Sequence, residues 1–190
     1  MAKVKRKPFD KITGRFIPIM CEMLESAAYK ALTPRQQILY IYCRNEEFHP
    51  KRFKPDKSDP KQFYFNEAIW SDKIDPETKR QGYGLYSLNH PAHFYRDMDA
   101  LIMYGFIKCI YPGATQKQRN IYKYSDKWKQ YGTREFEILP SEMTKSLLNK
   151  REKQQEAKKA ADLSALEEIF GTGDETAERK DRLRKQLENL

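Results

Sequence analysis

Glycine is scarce in this chain, which has 8 glycines among 190 residues. Phosphate-binding loops and dinucleotide-binding turns need closely spaced glycines, and neither G-x-x-x-x-G-K nor G-x-G-x-x-G occurs. The G-x-S-x-G turn of serine hydrolases is absent as well. Because no other catalytic signature stands out, we expect a protein that is not an enzyme and that carries no cofactor.

Long apolar runs are also missing. None approaches the roughly 20 residues that a membrane-spanning helix needs, and the basic start is followed by no hydrophobic region of the kind found in secretory signals. Cys21, Cys43 and Cys109 are few and scattered, and each lies in an apolar stretch. These features predict buried thiols in a reducing, cytoplasmic setting and no membrane partner.

Positive charge, by contrast, is abundant. The chain has 36 Lys and Arg against 27 Asp and Glu, which gives a net charge of +9. A basic surplus favours polyanionic partners such as nucleic acid, although an ordinary solvated surface has the same composition. Residues 1–15 are strongly basic, and we predict a flexible arm that contacts phosphates. Its candidate contacts are Lys3, Lys5, Arg6 and Lys7.

A core domain is predicted over residues 16–140. Thr33-Pro34 is a strong helix start, because the hydroxyl can accept from the first turn and proline needs no amide partner. The helix that follows has an apolar stripe wide enough for a central position in the core. Shorter elements are expected around it: a strand at Phe16–Ile19, a helix at Glu25–Leu32, a strand at Phe63–Phe65 and a helix from Asn66 to about Ile74.

A second amphipathic helix is predicted from Asn89 to Tyr104. Its apolar face recurs at helical spacing through Phe94, Met98, Leu101 and Ile102. The opposite face bears Asn89, His93 and Arg96 near the N-terminal end. The major groove of DNA admits one helix, and short or forked donors near its N-terminus reach the base edges. We therefore predict that these three residues read bases, although a plain solvated helix face has the same pattern.

Two acidic residues of the same helix argue against DNA binding. Carboxylates repel phosphates, and the helical wheel places Asp97 on the flank and Asp99 nearer the exposed side. Both acids favour an alternative in which the domain is an adaptor that binds protein.

A metal site is not predicted on this helix. His90 and His93 have a spacing that could place two imidazoles on one side, but a zinc site needs more ligands. By sequence, Cys109 is the only other candidate nearby.

A cationic hairpin is predicted directly after the helix, which Gly105 ends. The alternating pattern predicts two strands, at Phe106–Tyr111 and Asn120–Tyr124, and the basic loop PGATQKQR joins them. A hairpin of this kind can lie along the DNA backbone and add affinity without sequence information. The predicted backbone contacts are Lys108, Lys117, Arg119 and Lys123.

The order of helix, Gly-Phe-Ile and hairpin resembles the winged helix-turn-helix superfamily over about Phe16 to Phe136. The segments FYRDMDALIMYGFI and NIYKYSDKWKQYGT are similar to small replication initiators and regulators of bacterial plasmids, phages and integrative elements. The resemblance implies an α+β, mainly helical fold that binds double-stranded DNA in replication or transcription. It also implies that Asn89–Arg96 faces the groove and that Lys117 and Arg119 form the wing tip. The long connection Asp75–Leu88 departs from the family pattern.

Residues 141–190 differ in character, because their Lys, Glu, Gln and Ala content favours a charged helical tail that is partly disordered. The segment LSALEEIF could dock on a protein partner, with Leu163, Leu166 and Phe170 as anchors. The acidic stretch 162–178 could instead fold back on the hairpin and inhibit DNA binding. The sequence leaves open which of these applies, and whether the protein is a monomer or a homodimer.

Overall fold

The computed structural model describes residues 16–47, 61–77, 79–113 and 119–170, without the side chains of 47 and 166–170. The fold is α+β and mainly helical, as predicted. The chain divides into two compact units, with the boundary between Thr144 and Lys145. The described elements are, in chain order, α1 (Cys21–Glu25), α2 (Ala27–Ala31), α3 (Pro34–Glu47), β1 (Gln62–Phe63), α4 (Glu67–Trp70), α5 (Pro91–Met103), β2 (Ile107–Tyr111), β3 (Ile121–Tyr124), two 3₁₀ turns (Lys127–Gln130 and Pro140–Glu142) and α6 (Lys145–Phe170).

The described strands form one small antiparallel sheet in the order β1-β3-β2. Tyr122 of the central strand pairs with Phe63 of β1 and with Cys109 of β2. Because side chains alternate between the two faces of a sheet, these three residues share one face, and all three are buried. The predicted hairpin is confirmed, and the strand predicted at Phe63–Phe65 forms one residue earlier, at Gln62–Phe63.

Helix α3 begins where Thr33-Pro34 predicts. The Thr33 hydroxyl accepts from the Gln36 amide at 3.4 Å, and the Gln36 side chain accepts from the Thr33 amide at 2.9 Å. This reciprocal pair satisfies donors that the start of a helix leaves unpaired. The helix packs against α5 and β1, and it buries Leu39, Tyr40 and Cys43.

Aromatic side chains fill the core. Phe94 of α5 stacks on Trp70 of α4 with ring centres 5.2 Å apart, and it also contacts Phe65 and Tyr86. A second group surrounds Phe106 and consists of Tyr29, Tyr40 and Trp128. A fully buried apolar side chain contributes about 1.5–3 kcal/mol, so the packing of Phe94 against Trp70 is a substantial part of what holds α5 in place.

Helix α5 ends just before Gly105, as predicted. The Gly105 amide donates to the Ile102 carbonyl at 2.9 Å and the Phe106 amide to the Leu101 carbonyl at 3.0 Å, which are the paired bonds of a Schellman motif. Gly105 has a φ of +78°, and a Cβ there would lie 2.7 Å from the backbone nitrogen of Trp128. Glycine is therefore required here for two reasons: the left-handed backbone and the close approach to Trp128. Because both are met, the hairpin can start directly after α5.

The N-terminal predictions were partly wrong. Phe16–Ile19 forms no strand, and the helix predicted at Glu25–Leu32 is two short helices divided at Ser26. The Ser26 hydroxyl accepts a backbone hydrogen bond at 3.1 Å from the first turn of α2, so this serine caps a new helix instead of continuing the old one. Cys21 is exposed and not buried, because α1 buries only Met23.

Helix α4 is shorter than predicted. Asn66 caps it as expected, since its side-chain oxygen accepts from the Ile69 amide at 2.9 Å. The helix ends at Trp70, however, and not near Ile74. It ends early because the following loop folds back, and the Tyr83 amide donates to the Ile69 carbonyl at 2.8 Å.

The second unit contains α6, a helix of 26 residues whose described side chains are mostly exposed. A helical start to the charged tail is thus confirmed, while residues 171–190 lie outside the described residues. In the part of the chain that the structure describes, no helix has the length and apolar character needed to cross a membrane.

Candidate nucleic-acid interface

The N-terminal end of α5 carries the three predicted base-reading residues at the surface. His93 and Arg96 lie one turn apart on the helix, and Asn89 lies just before it; all three are exposed. Arg96 makes no hydrogen bond or ion pair with any described residue. A forked cationic donor, an imidazole and an amide are therefore available together at one end of the helix.

The helix starts two residues later than predicted. Pro91 is its first residue and His90 is its cap, although the His90 side chain makes no capping hydrogen bond. The His90 and His93 rings are stacked, with centres 5.6 Å apart and planes 21° apart. Among the described residues, no cluster of three or more His, Cys, Asp or Glu side chains is arranged to hold a metal ion.

Asp97, expected on the flank of α5, is buried, with 2% of its surface exposed. Its carboxylate accepts three hydrogen bonds: from Arg35 Nε at 2.7 Å, from Gln36 Nε2 at 3.0 Å and from the Tyr86 hydroxyl at 2.9 Å. A buried carboxylate is tolerated when it is paired and hydrogen-bonded, and this one is both. These bonds tie α5 to the first turn of α3 and to the loop that precedes α5.

The prediction that Asp99 lies nearer the exposed side was wrong, because Asp99 is 6% exposed. Its Oδ1 accepts from the Thr144 hydroxyl at 2.9 Å. Thr144 follows Asp99 by 45 positions, so a helical wheel contains no sign of the contact. With both acids of α5 turned inward, the charge argument against DNA binding no longer holds. The same acids no longer favour the adaptor.

The Asp97 site shifts the pKa values of its neighbours. The hydrogen bond to Asp97 raises the pKa of the Arg35 guanidinium. Burial, and then the negative charge of Asp97, raises the pKa of the Tyr86 hydroxyl well above its ordinary value. Both groups therefore stay protonated and act as donors to Asp97 throughout the neutral pH range.

The long connection before α5 is folded wherever the structure describes it. The Tyr83 ring stacks on Tyr42 of α3 with centres 3.8 Å apart, and the Tyr83 hydroxyl donates to Glu46 at 2.6 Å. Gly82 allows a tight approach, since a Cβ there would lie 2.0 Å from the Ala68 carbonyl oxygen. These contacts attach the connection to α3 and α4, so its length does not leave α5 loosely held.

The hairpin concentrates positive charge on one face. Lys108 of β2 and Lys123 of β3 are partners across the strand pair, and both are half-buried. The Cβ atoms of directly opposite residues in an antiparallel pair lie about 5 Å apart, so the two lysines are neighbours on this face of the hairpin.

Arg119, predicted at the wing tip, is turned back toward the domain. Its Nη1 lies 3.0 Å from Glu77 Oε1, and its guanidinium lies over the Tyr64 ring at 4.7 Å. Because Glu77 offsets part of its charge, Arg119 attracts a phosphate less strongly than the sequence implied.

The remaining predicted contacts are only partly described. Leu163 of the tail is half-buried, whereas the side chains of Leu166 and Phe170 are not among those described. The following predicted backbone contacts lie outside the described residues: Lys3, Lys5, Arg6, Lys7 and Lys117.

Sequence reasoning missed the residues that hold α5, above all Arg35 and Tyr86. Arg35 precedes Asp97 by 62 positions and Tyr86 by 11, so no motif joins the three. Asp97 was the one feature of the sequence that could have pointed to them. An aspartate next to the apolar stripe of a helix is buried, so it needs hydrogen-bond donors from elsewhere in the fold.

Comparison with known proteins identifies no relative of this chain. No protein-family model matches the chain, and neither does a curated protein or a solved structure. The function is therefore inferred from the side chains described above.

Proposed function

We propose that the first unit is a winged helix-turn-helix domain that binds double-stranded DNA with α5 in the major groove. The face of α5 carries this proposal: Asn89, His93 and Arg96 are exposed, whereas Asp97 and Asp99 are buried and hydrogen-bonded. A helix that enters the groove needs outward donors and no unpaired negative charge, and this face satisfies both requirements.

The order of the elements supports the proposal. Helix α3, strand β1, helices α4 and α5 and the β2–β3 hairpin follow one another as in winged-helix domains, with β1 as a third strand. The tight backbone contact at Gly105 starts the hairpin directly after α5. A wing in this position can reach phosphates beside the groove that α5 enters.

Positive charge would supply most of the affinity. The chain has a net charge of +9, and Lys108 and Lys123 share one face of the hairpin. Cations that contact phosphates release counterions, which makes binding steeply salt-dependent. Such contacts position the protein without reading sequence, so selectivity would come from Asn89, His93 and Arg96.

We infer a role in replication initiation or transcriptional regulation of a bacterial mobile element. This part of the proposal rests on the likeness of the α5 and hairpin sequence to small proteins of plasmids, phages and integrative elements. Both roles require the same recognition of duplex DNA.

Selection of bound sequences from a random duplex pool tests the proposal. The full chain should enrich a defined motif at physiological salt, whereas enrichment of no motif would contradict sequence-specific binding. Arg96→Ala should then lower the preference for the motif about 10-fold to 100-fold, since a forked guanine contact is worth about 1–3 kcal/mol. Arg134→Ala is the matched control, because Arg134 is an exposed arginine outside α5 and the hairpin, and it should keep the preference.

A further inference from the structure

We propose that Arg35 is an additional phosphate-binding residue, held in position by Asp97 at the edge of the α5 reading face. The inference rests on the proposed DNA binding and assigns a residue that no sequence pattern indicated. Arg35 lies in the first turn of α3, and its side chain is 38% exposed, whereas that of Asp97 is 3% exposed. The arginine therefore lies between a buried carboxylate and solvent.

The contact with Asp97 uses only part of the guanidinium. Arg35 Nε donates to Asp97 Oδ2 at 2.7 Å, and the guanidinium also interacts with the Tyr86 side chain. A guanidinium has five N–H donors in a flat fork, and the two terminal nitrogens carry four of them. The guanidinium therefore has more N–H donors than Asp97 and Tyr86 use, and the remaining donors can meet a phosphate.

Neighbouring side chains fix the arginine before any ligand arrives. Asp97 offsets part of the arginine's charge, as Glu77 does for Arg119, while Gln36 and Tyr86 donate to the same carboxylate at 3.0 and 2.9 Å and hold it in place. The Arg35 guanidinium also lies 5.2 Å from the centre of the Tyr86 ring. A side chain held in this way loses little conformational entropy when it binds, which favours tight contact with an anion.

The position of Arg35 fits a phosphate at the border of the groove. Asp97 follows His93 by one turn on the same side of α5, about 6 Å along the helix axis. Arg35 therefore flanks the proposed reading face on the side of α3. A helix seated in the major groove has phosphates along both edges, so a cation at the border of its reading face meets the DNA backbone.

The salt dependence of duplex binding tests this assignment with the full chain, on the selected motif and on random duplex. Arg35→Gln should reduce the slope of log affinity against log salt by about 0.9, the value for one phosphate contact. Affinity for both duplexes should fall about 5-fold to 10-fold, and the preference between them should be retained. Arg35→Lys is a second variant: it keeps the positive charge that the slope measures but offers no fork, so the slope should be retained while affinity falls.

Arg134→Gln is the matched control, because it removes an exposed cation that lies outside α5 and the hairpin. Its slope should equal that of the wild type. The inference is overturned if Arg35→Gln keeps the wild-type slope, or if Arg134→Gln loses as much slope as Arg35→Gln does. It is also overturned if Arg35→Lys loses as much slope as Arg35→Gln, since Arg35 would then act only through folding. If the wild-type chain binds no duplex, the proposed function fails and this inference fails with it. If Arg96→Ala loses the motif while the slope of Arg35→Gln is unchanged, only this inference fails.

Discussion

Asp97 determines how α5, the proposed recognition helix, is held in the domain. In the sequence this residue argued against DNA binding, since a carboxylate on a helix that faces DNA repels the phosphates. In the fold it accepts hydrogen bonds from Arg35, Gln36 and Tyr86 and links three segments of the chain. The apolar face Phe94–Ile102 could be predicted because its signal is local spacing. The partners of Asp97 on α3 could not, because they lie 61 and 62 positions away and have no local pattern.

Asp97→Ala should lower the free energy of unfolding by about 2–3 kcal/mol. The substitution leaves the Tyr86 hydroxyl without its acceptor in a buried site, whereas Arg35, which is 38% exposed, can regain water and moderates the loss. Urea unfolding followed by circular dichroism measures the difference.

Asp126→Ala is the control for this prediction. Asp126 is 79% exposed and lies 4.0 Å from Lys129, so its removal should change the free energy of unfolding by no more than about 0.5 kcal/mol. Equal losses for the two substitutions would show that the Asp97 site does not stabilise the domain.

At the scale of secondary-structure elements, α5 and the hairpin followed from local signals and the shorter helices did not. Helical spacing, a glycine stop at Gly105 and alternating strands are all readable within a few residues. The division between α1 and α2 depended on Ser26 acting as a cap. The early end of α4 depended on a loop that folds back from Tyr83, which is a tertiary contact. Short helices have little intrinsic stability, so such contacts decide their limits.

Gly105→Ala should destabilise the fold more than Gly132→Ala. Both glycines have left-handed backbones, with φ of +78° and +85°, so each alanine costs about 1–2 kcal/mol for conformation alone. A Cβ at Gly105 would also meet the Trp128 nitrogen at 2.7 Å, whereas one at Gly132 meets nothing within 4 Å. We expect a total loss of about 3 kcal/mol or more at Gly105 in urea unfolding. Equal losses of unfolding free energy at the two positions would show that the close approach of Gly105 to Trp128 does not matter for stability.

At the scale of the whole molecule, all the proposed DNA contacts belong to the first of the two units. The sequence placed the change in character at residue 141, and the two compact units divide after Thr144. The difference has a physical cause, because Met143 is buried and Thr144 donates to Asp99 of α5. A truncated chain that keeps Thr144 therefore retains the hydrogen bond between Thr144 and Asp99 of α5.

Truncation after Thr144 should leave duplex affinity and motif preference near those of the full chain, because Asn89, His93, Arg96 and the hairpin are all retained. Equilibrium binding measures both quantities, and far-ultraviolet circular dichroism checks that the truncated chain is folded. Tighter binding by a folded truncated chain would assign the acidic stretch 162–178 an inhibitory role. Loss of binding by the folded truncated chain would move the interface to the tail and contradict the proposal.

Backbone amide resonances of the full chain, followed while a duplex carrying the selected motif is added, test the central claim most directly. The largest shifts should fall on residues 89–96 of α5 and the turn before it, with smaller shifts on β2, β3 and the start of α3. Shifts confined to α6, or no shifts at residues 89–96 when binding is saturated, would contradict the assignment of α5 as the helix that reads DNA.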